Sequence, residues 1–252
     1  MISIGLLGCG NVGHILARHA DGFRIVAVHD RIPERSREIA DICGATVSEN
    51  IDAFLEEPFD LVVEAASVGA VTAHSERILR SNRDLVILSV GAFADRAFHD
   101  RISRVARECG RKVHIPSGAV AGLDNLKIGQ IARIDRLLLR TTKPPGSLGA
   151  SVDDRRMIFE GAAEDCIKQY PKNINVAVAL SLAAGQDAEV ELWADPAIDR
   201  NVHEVFAEGE FGEIYIRVRN LPSPENPATS YMAALSILTL LRNLENPIRV
   251  GT

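Results

Sequence analysis

The glycines Gly8, Gly10 and Gly13 stand in the order G-x-G-x-x-G, within Gly8-Cys9-Gly10-Asn11-Val12-Gly13. That spacing suits the holding of a pyrophosphate against backbone. Gly8 permits a tight turn, Gly10 leaves room for phosphate to reach the main chain, and Gly13 lets the following helix lie close to the preceding strand. Asn11 and Val12 open that helix, whose N-terminus offers unpaired N–H groups and partial positive charge to an anion. The motif alone recurs by chance. Here it follows the apolar stretch Ile2–Leu7 and opens a helical one, the context that a dinucleotide fingerprint requires.

A second chemical signal is Asp30, 17 residues after Gly13 and at the end of the apolar run Arg24–Asp30. A carboxylate there can accept hydrogen bonds from the adenosine ribose hydroxyls of NAD, and it repels the extra phosphate of NADP. Arg31 follows at once and can pair with that phosphate. NAD is therefore expected to be preferred, with NADP left open. Three later loops qualify by position at strand ends and carry small residues that let a cofactor lie against backbone: Ala66-Ser67-Val68-Gly69, Ser89-Val90-Gly91-Ala92 and Ser117-Gly118-Ala119. Ala66, Ser89 and Ala119 are their candidate contacts.

Hydride transfer asks the protein for placement and proton handling, and histidine is the side chain whose ordinary pKa suits the latter. Of the seven histidines, His14, His19, His74 and His99 fall on helices of the first half, and His29 and His114 fall within strands. His203 differs. It lies in the second half, in Asp199-Arg200-Asn201-Val202-His203-Glu204, at the start of a strand expected to face the ligand. From the residues alone it is one candidate, with a packed structural histidine as the alternative.

The elements that must position these groups alternate. Strands are predicted at Ile2–Leu7, Arg24–Asp30, Ala45–Val47, Asp60–Ala66, Asp84–Ser89 and Lys112–Pro116. Helices are predicted at Asn11–Ala20, Pro33–Cys43, Ile51–Glu56, Ala70–Ser81 and Arg96–Cys109. The continuous apolar runs DLVVEAA and DLVILS have the pattern of strands covered on both faces. This alternation predicts an α/β fold with an N-terminal Rossmann doubly wound parallel sheet.

The second half predicts a smaller α+β domain with a mixed or antiparallel sheet. Its strands are Arg136–Thr142, Glu189–Ala194 and a hairpin of Asn201–Ala207 with Glu213–Asn220. Its helices are Leu123–Ala132, Ala162–Gln169 and the almost wholly apolar Val176–Ala184. A Pro-rich linker, Pro222–Pro227, leads to a last helix, Thr229–Leu244, expected to return to the first domain. The expected domains are residues 1–118 with 226–252 for the dinucleotide and 119–225 for substrate and dimerisation. Arg136–Thr142 is the strand expected to pair across a two-fold axis.

Composition limits the partners. A formal net charge of −6 with no basic run argues against nucleic acid or an anionic membrane. No stretch approaches the roughly 18 apolar residues of a membrane span, and the first apolar stretch runs into a glycine loop as no secretory signal does. The cysteines at 9, 43, 109 and 166 form neither a CxxC pair nor a zinc cluster. No metal is expected, and a cytoplasmic enzyme is.

Taken together, the chain resembles the L-aspartate dehydrogenase family, a relative of homoserine dehydrogenase and dihydrodipicolinate reductase. The matching stretches are GLLGCGNVG, IPSGAVAGLD at 115–124, TTKPPGSL at 141–148, NVAVALSLA at 175–183, RNVHEV at 200–205 and NPATSYMAALSILTLL at 226–241. The resemblance implies oxidation of L-aspartate to iminoaspartate with NAD or NADP, reversible as reductive amination of oxaloacetate with ammonia, feeding NAD biosynthesis. It maps the active-site histidine onto His203 and two cofactor contacts onto Ala119 and Asn175. Asn175 begins an apolar helix and carries both a donor and an acceptor for a carboxamide, although such a position also suits a helix cap. A dicarboxylate substrate needs cations, for which Lys143, Lys168, Lys172 and Arg200 are candidates. A homodimer is expected. The competing readings are a homoserine dehydrogenase, a cyclic-imine reductase of similar architecture, and a non-catalytic NAD(H)-binding sensor.

Overall fold

The computed structural model describes residues 1–170, 174–223 and 230–251. The chain divides into two units, Met1–Pro116 with Ala233–Val250, and Ser117–Met232 with Gly251.

The first unit carries strands β1 (Ile2–Leu7), β2 (Phe23–His29), β3 (Thr46–Val47), β4 (Leu61–Glu64), β5 (Asp84–Ile87) and β6 (Val113–His114). They form a wholly parallel sheet in the order β3-β2-β1-β4-β5-β6. Parallel neighbours need crossovers, supplied by helices α1 (Asn11–Arg18), α2 (Pro33–Cys43), α3 (Ile51–Glu56), α4 (Val68–Arg80) and α5 (Arg96–Cys109). All four residues of β4 are buried, as the apolar run predicts. In α5, Phe98, Ile102 and Val105 form one buried stripe, and the Asp95 carboxylate starts the helix by accepting from the N–H groups of Ala97 at 2.9 Å and Phe98 at 3.2 Å. The strand order reverses between β1 and β4, and ligands of such sheets bind beyond the carboxyl ends at that crossover.

The second unit begins with a short helix α6 (Leu123–Leu126), then β7 (Ile134–Lys143), a turn of helix α7 (Pro145–Leu148), β8 (Arg156–Ala162), α8 (Ala163–Gln169), α9 (Ile174–Ala184), β9 (Glu189–Ala194), β10 (Val202–Gly209) and β11 (Gly212–Arg219). The sheet is mixed, in the order β11-β10-β7-β9-β8, with β7 antiparallel to β10 and parallel to β9. One face packs Leu137, Leu139, Val190, Val205 and Ala207 against Ala177 and Leu180 of α9. The last helix, α10 (Tyr231–Glu245), belongs to the first unit from Ala233 onward.

Several expectations are corrected. Strand β8 was not expected. It lies at the sheet edge, and a bulge between Met157 and Phe159 breaks the two-residue alternation by which a strand is read. The helix expected over Leu123–Ala132 stops at Leu126 and tightens into a 3-10 turn, Lys127–Gln130. Gly129 sits in that turn, where a Cβ would lie 2.6 Å from the Ala184 carbonyl oxygen. Of the loop expected over Ser89–Ala92, residues Val90 to Ala92 fall within a 3-10 helix, Val90–Ala94. Strand β7 is central, hydrogen-bonded on both sides, so it has no free edge to pair across a two-fold axis. The linker residues 224–227 and the expected helix start at Thr229 lie outside the described residues.

Candidate active site

In the first unit the three glycines serve separate purposes. Gly8 has φ +103°, and a Cβ there would lie 2.6 Å from the backbone of Ala65 and Ala66. A Cβ on Gly13 would lie 2.8 Å from the Gly8 carbonyl oxygen. Those two glycines are required by the protein's own packing. A Cβ on Gly10 would meet nothing within 4 Å. Gly10 opens α1, which has no side-chain cap there and no acidic residue in its first turn. An open glycine at the N-terminus of a helix whose first turn carries no acidic residue fits a pyrophosphate, and Asn11 and Val12 follow it in the first turn of α1.

Asp30 braces this turn. Its Oδ2 accepts the Cys9 N–H at 2.8 Å and its Oδ1 accepts the Ile32 N–H at 2.9 Å. Each oxygen keeps a further lone pair, so ribose hydroxyls can still be accepted. Arg31, next in the chain, is exposed.

Ala66 and Ser89 are held by a group that the sequence reading missed. Glu64, at the carboxyl end of β4, is 1% exposed. Its Oε1 accepts the N–H of Ala66 at 2.8 Å, the N–H of Ser67 at 2.8 Å and the Ser89 hydroxyl at 2.8 Å, and its Oε2 accepts the Ser89 N–H at 3.0 Å. Burial pushes this carboxyl's pKa up, opposed by the four donors. The signal was available, since an acid inside an otherwise apolar strand run must find donors.

In the second unit, His203 on β10 stands directly opposite Thr141 on β7. The Thr141 Oγ1 lies 2.9 Å from Nδ1 of His203, with both residues buried. Burial, and secondarily the charge of Lys143, lowers the imidazole pKa to about 3, so the ring is neutral at ordinary pH. Lys143 lies two residues beyond Thr141 on the same strand, hence on the same face. Lys143 is itself partnered, as are two of the other expected cations. Lys168 pairs with Glu164 at 2.9 Å and Asp165 at 3.5 Å along α8. Arg200 forms a two-pronged pair with Asp199 at 2.7 and 2.5 Å. Lys172 lies outside the described residues.

The loop bearing Ala119 is anchored by Asn220, also missed from sequence. This side chain is 4% exposed, donates to the Ala119 carbonyl at 2.9 Å and accepts the Ser230 hydroxyl at 2.5 Å. Asn175 is the second residue of α9 and exposed, inside the helix and not its cap. The expected site residues thus fall into two sets. Gly8, Gly10, Asn11, Val12, Gly13, Asp30, Arg31, Ala66 and Ser89 belong to the first unit, and Ala119, Asn175 and His203 to the second. Among the described residues, no three His, Cys, Asp or Glu are arranged to hold a metal ion.

A glycine turn feeding an uncapped helix at the crossover of a parallel sheet, joined to a mixed-sheet unit with a buried histidine, defines an NAD(P)-binding α/β oxidoreductase. Residues 4–116 match the family described as homoserine dehydrogenase, NAD binding domain, and residues 124–244 match aspartate dehydrogenase, C-terminal. The chain is 56% identical over the full length of both chains to L-aspartate dehydrogenase of Methanospirillum hungatei JF-1. It is 39% identical, again over all of both chains, to that of Methanocaldococcus jannaschii. The crystal structure of aspartate dehydrogenase from Thermotoga maritima superposes with a TM-score of 0.86 at 32% identity, covering 100% of each chain. The chain belongs to the L-aspartate dehydrogenase family.

Proposed function

We propose that this protein oxidises L-aspartate at Cα to iminoaspartate with NAD or NADP, and in reverse aminates oxaloacetate reductively with ammonia, feeding NAD biosynthesis in the cytoplasm. One observation carries the chemistry: a buried neutral imidazole, His203, braced by Thr141 on the face that also bears Lys143. The full-length match to relatives of that name supports the substrate.

The bound nicotinamide supplies the hydride acceptor. The chain's residues do the rest. The turn Gly8–Gly13 and the α1 N-terminus hold pyrophosphate, Asp30 accepts from the ribose, and Ala66 and Ser89 present loop backbone. With its carbonyl already engaged by Asn220, Ala119 offers its N–H, and Asn175 its amide, to the carboxamide. The neutral His203 ring relays a proton from the substrate nitrogen, giving up its own N–H as it takes one up, so that no lasting imidazolium forms. A role as an imidazolium clamping a carboxylate is disfavoured while the ring is buried. Lys143 is the cation for a substrate carboxylate. Residues 1–118 with 226–252 act as the cofactor domain and 119–225 as the substrate and dimerisation domain.

The homodimer is proposed to form through the sheet face opposite α9. There Met157 on β8 and Tyr215 on β11 are 37% and 56% exposed, and Tyr215 packs beside Phe206, which lies under the Arg140 guanidinium. Substituting His203→Ala tests the central role. Turnover should fall by about a hundredfold or more while NADH binding persists; unchanged turnover would remove His203 from the chemistry.

A further inference from the structure

Glu64 gathers four hydrogen bonds from two loops that are separate in sequence. One loop follows β4 and the other follows β5, and both leave the sheet at its carboxyl edge beside the crossover. The first also sets a helix. Ser67, whose N–H is held by Glu64, is the N-cap of α4 and accepts the Ala70 N–H at 3.2 Å through its hydroxyl. The same loop crosses the glycine turn, since Ala65 and Ala66 are the atoms a Cβ on Gly8 would strike. Among the described residues no cation bonds to this carboxylate; its partners there are three backbone N–H groups and one hydroxyl. At 1% exposure this carboxylate is closed off from a ligand and acts through the loops it holds. A buried charge without a cationic partner is costly to fold around, and apolar contacts would close the two strands more cheaply.

We propose that Glu64 is a positioning residue for the nicotinamide cofactor: it ties the loops after β4 and β5 into one preformed cradle at the crossover. The proposal rests on the reading of this unit as the dinucleotide site. It goes beyond that reading by assigning the cradle's shape to a residue that need never touch the ligand.

The atoms dictate the test. Glu64→Gln preserves size. Its single oxygen can keep the donors from Ala66, Ser67 and the Ser89 hydroxyl, but its amide NH2 then faces the Ser89 N–H, donor against donor. The β5 loop should be released while the β4 loop stays. Hydrogen exchange on the cofactor-free protein should show faster exchange at residues 88–92 in Glu64→Gln than in the parent, with β1 and α5 unchanged. NADH titration should give a dissociation constant raised about tenfold, the effect of losing one hydrogen bond to a charged group. The KM for aspartate should stay within about twofold. A merely structural role would lower thermal stability across the unit without a local exchange signature or a change in the cofactor affinity of the folded protein.

Ser89→Ala removes only the hydroxyl bond and serves if Glu64→Gln fails to fold; it should weaken NADH by about threefold. Unchanged exchange and affinity in whichever variant folds would overturn the proposal. If the parent protein binds neither NADH nor NADPH, the cofactor reading itself falls. If the parent binds and the variant binds equally, only the role of Glu64 falls.

Discussion

Thr141 Oγ1 and His203 Nδ1 lie 2.9 Å apart across the β7–β10 ladder, and both side chains are buried. A neutral imidazole has one N–H, and the threonine hydroxyl can donate to Nδ1 or accept from it; in either tautomer it fixes the ring's rotation. Thr141→Val keeps the shape and removes the hydroxyl; Thr141→Ser keeps the hydroxyl. The valine variant should lose about tenfold in kcat with NADH affinity unchanged, and the serine variant should retain most of the activity. Equal kcat in the two variants would show that the hydroxyl does not matter.

The same burial makes a statement about stability. His203 has a pKa of about 3 in the folded protein against an ordinary value of 6.5. The unfolded chain therefore binds a proton that the folded chain refuses. The contribution is complete above about pH 6.5 and is lost as the pH falls toward about 3. Between about pH 7 and pH 5 it amounts to about 2 kcal/mol. His203→Gln should flatten the fall in Tm over that interval. Part of the slope will remain, because burial also lowers the pKa of His114 and His74. Parallel curves for parent and variant would contradict the assignment.

The glycine turn separates folding from binding. A Cβ at Gly10 meets nothing, whereas one at Gly13 meets the Gly8 carbonyl oxygen at 2.8 Å. Gly10→Ala should leave Tm nearly unchanged yet weaken NADH binding by about tenfold or more, since the methyl group occupies the phosphate's approach. Gly13→Ala should destabilise the fold itself by about 1–3 kcal/mol. Thermal melts with and without NADH distinguish the two.

Cofactor choice is carried at one strand end. Asp30 is committed to the turn through Cys9 and Ile32, while Arg31 is exposed. Arg31→Ala should raise the KM for NADP by about tenfold and change that for NAD by less than about twofold. Equal changes for both would remove Arg31 from the choice.

Much of this was legible in the chain. The apolar runs around Leu61–Glu64 and Asp84–Ile87 could only be strands covered on both faces, and Gly8–Gly13 could only be placed between a strand and a helix. What escaped was relational. Thr141 and His203 meet because β7 and β10 pair in one register, which no local pattern specifies. Asn220 reaches Ala119 across 101 residues for the same reason. Strand β8 escaped because its bulge destroys the alternation. Glu64 was visible as a charge in an apolar run but was absorbed into the strand.

The central claim is tested most directly by the absorbance of reduced nicotinamide at about 340 nm, with purified protein, NAD or NADP, and L-aspartate, D-aspartate, L-glutamate, L-homoserine and L-malate in turn. A rise with L-aspartate alone is the predicted result. Binding of the cofactor with no rise on L-aspartate, or a rise on L-homoserine instead, would contradict it.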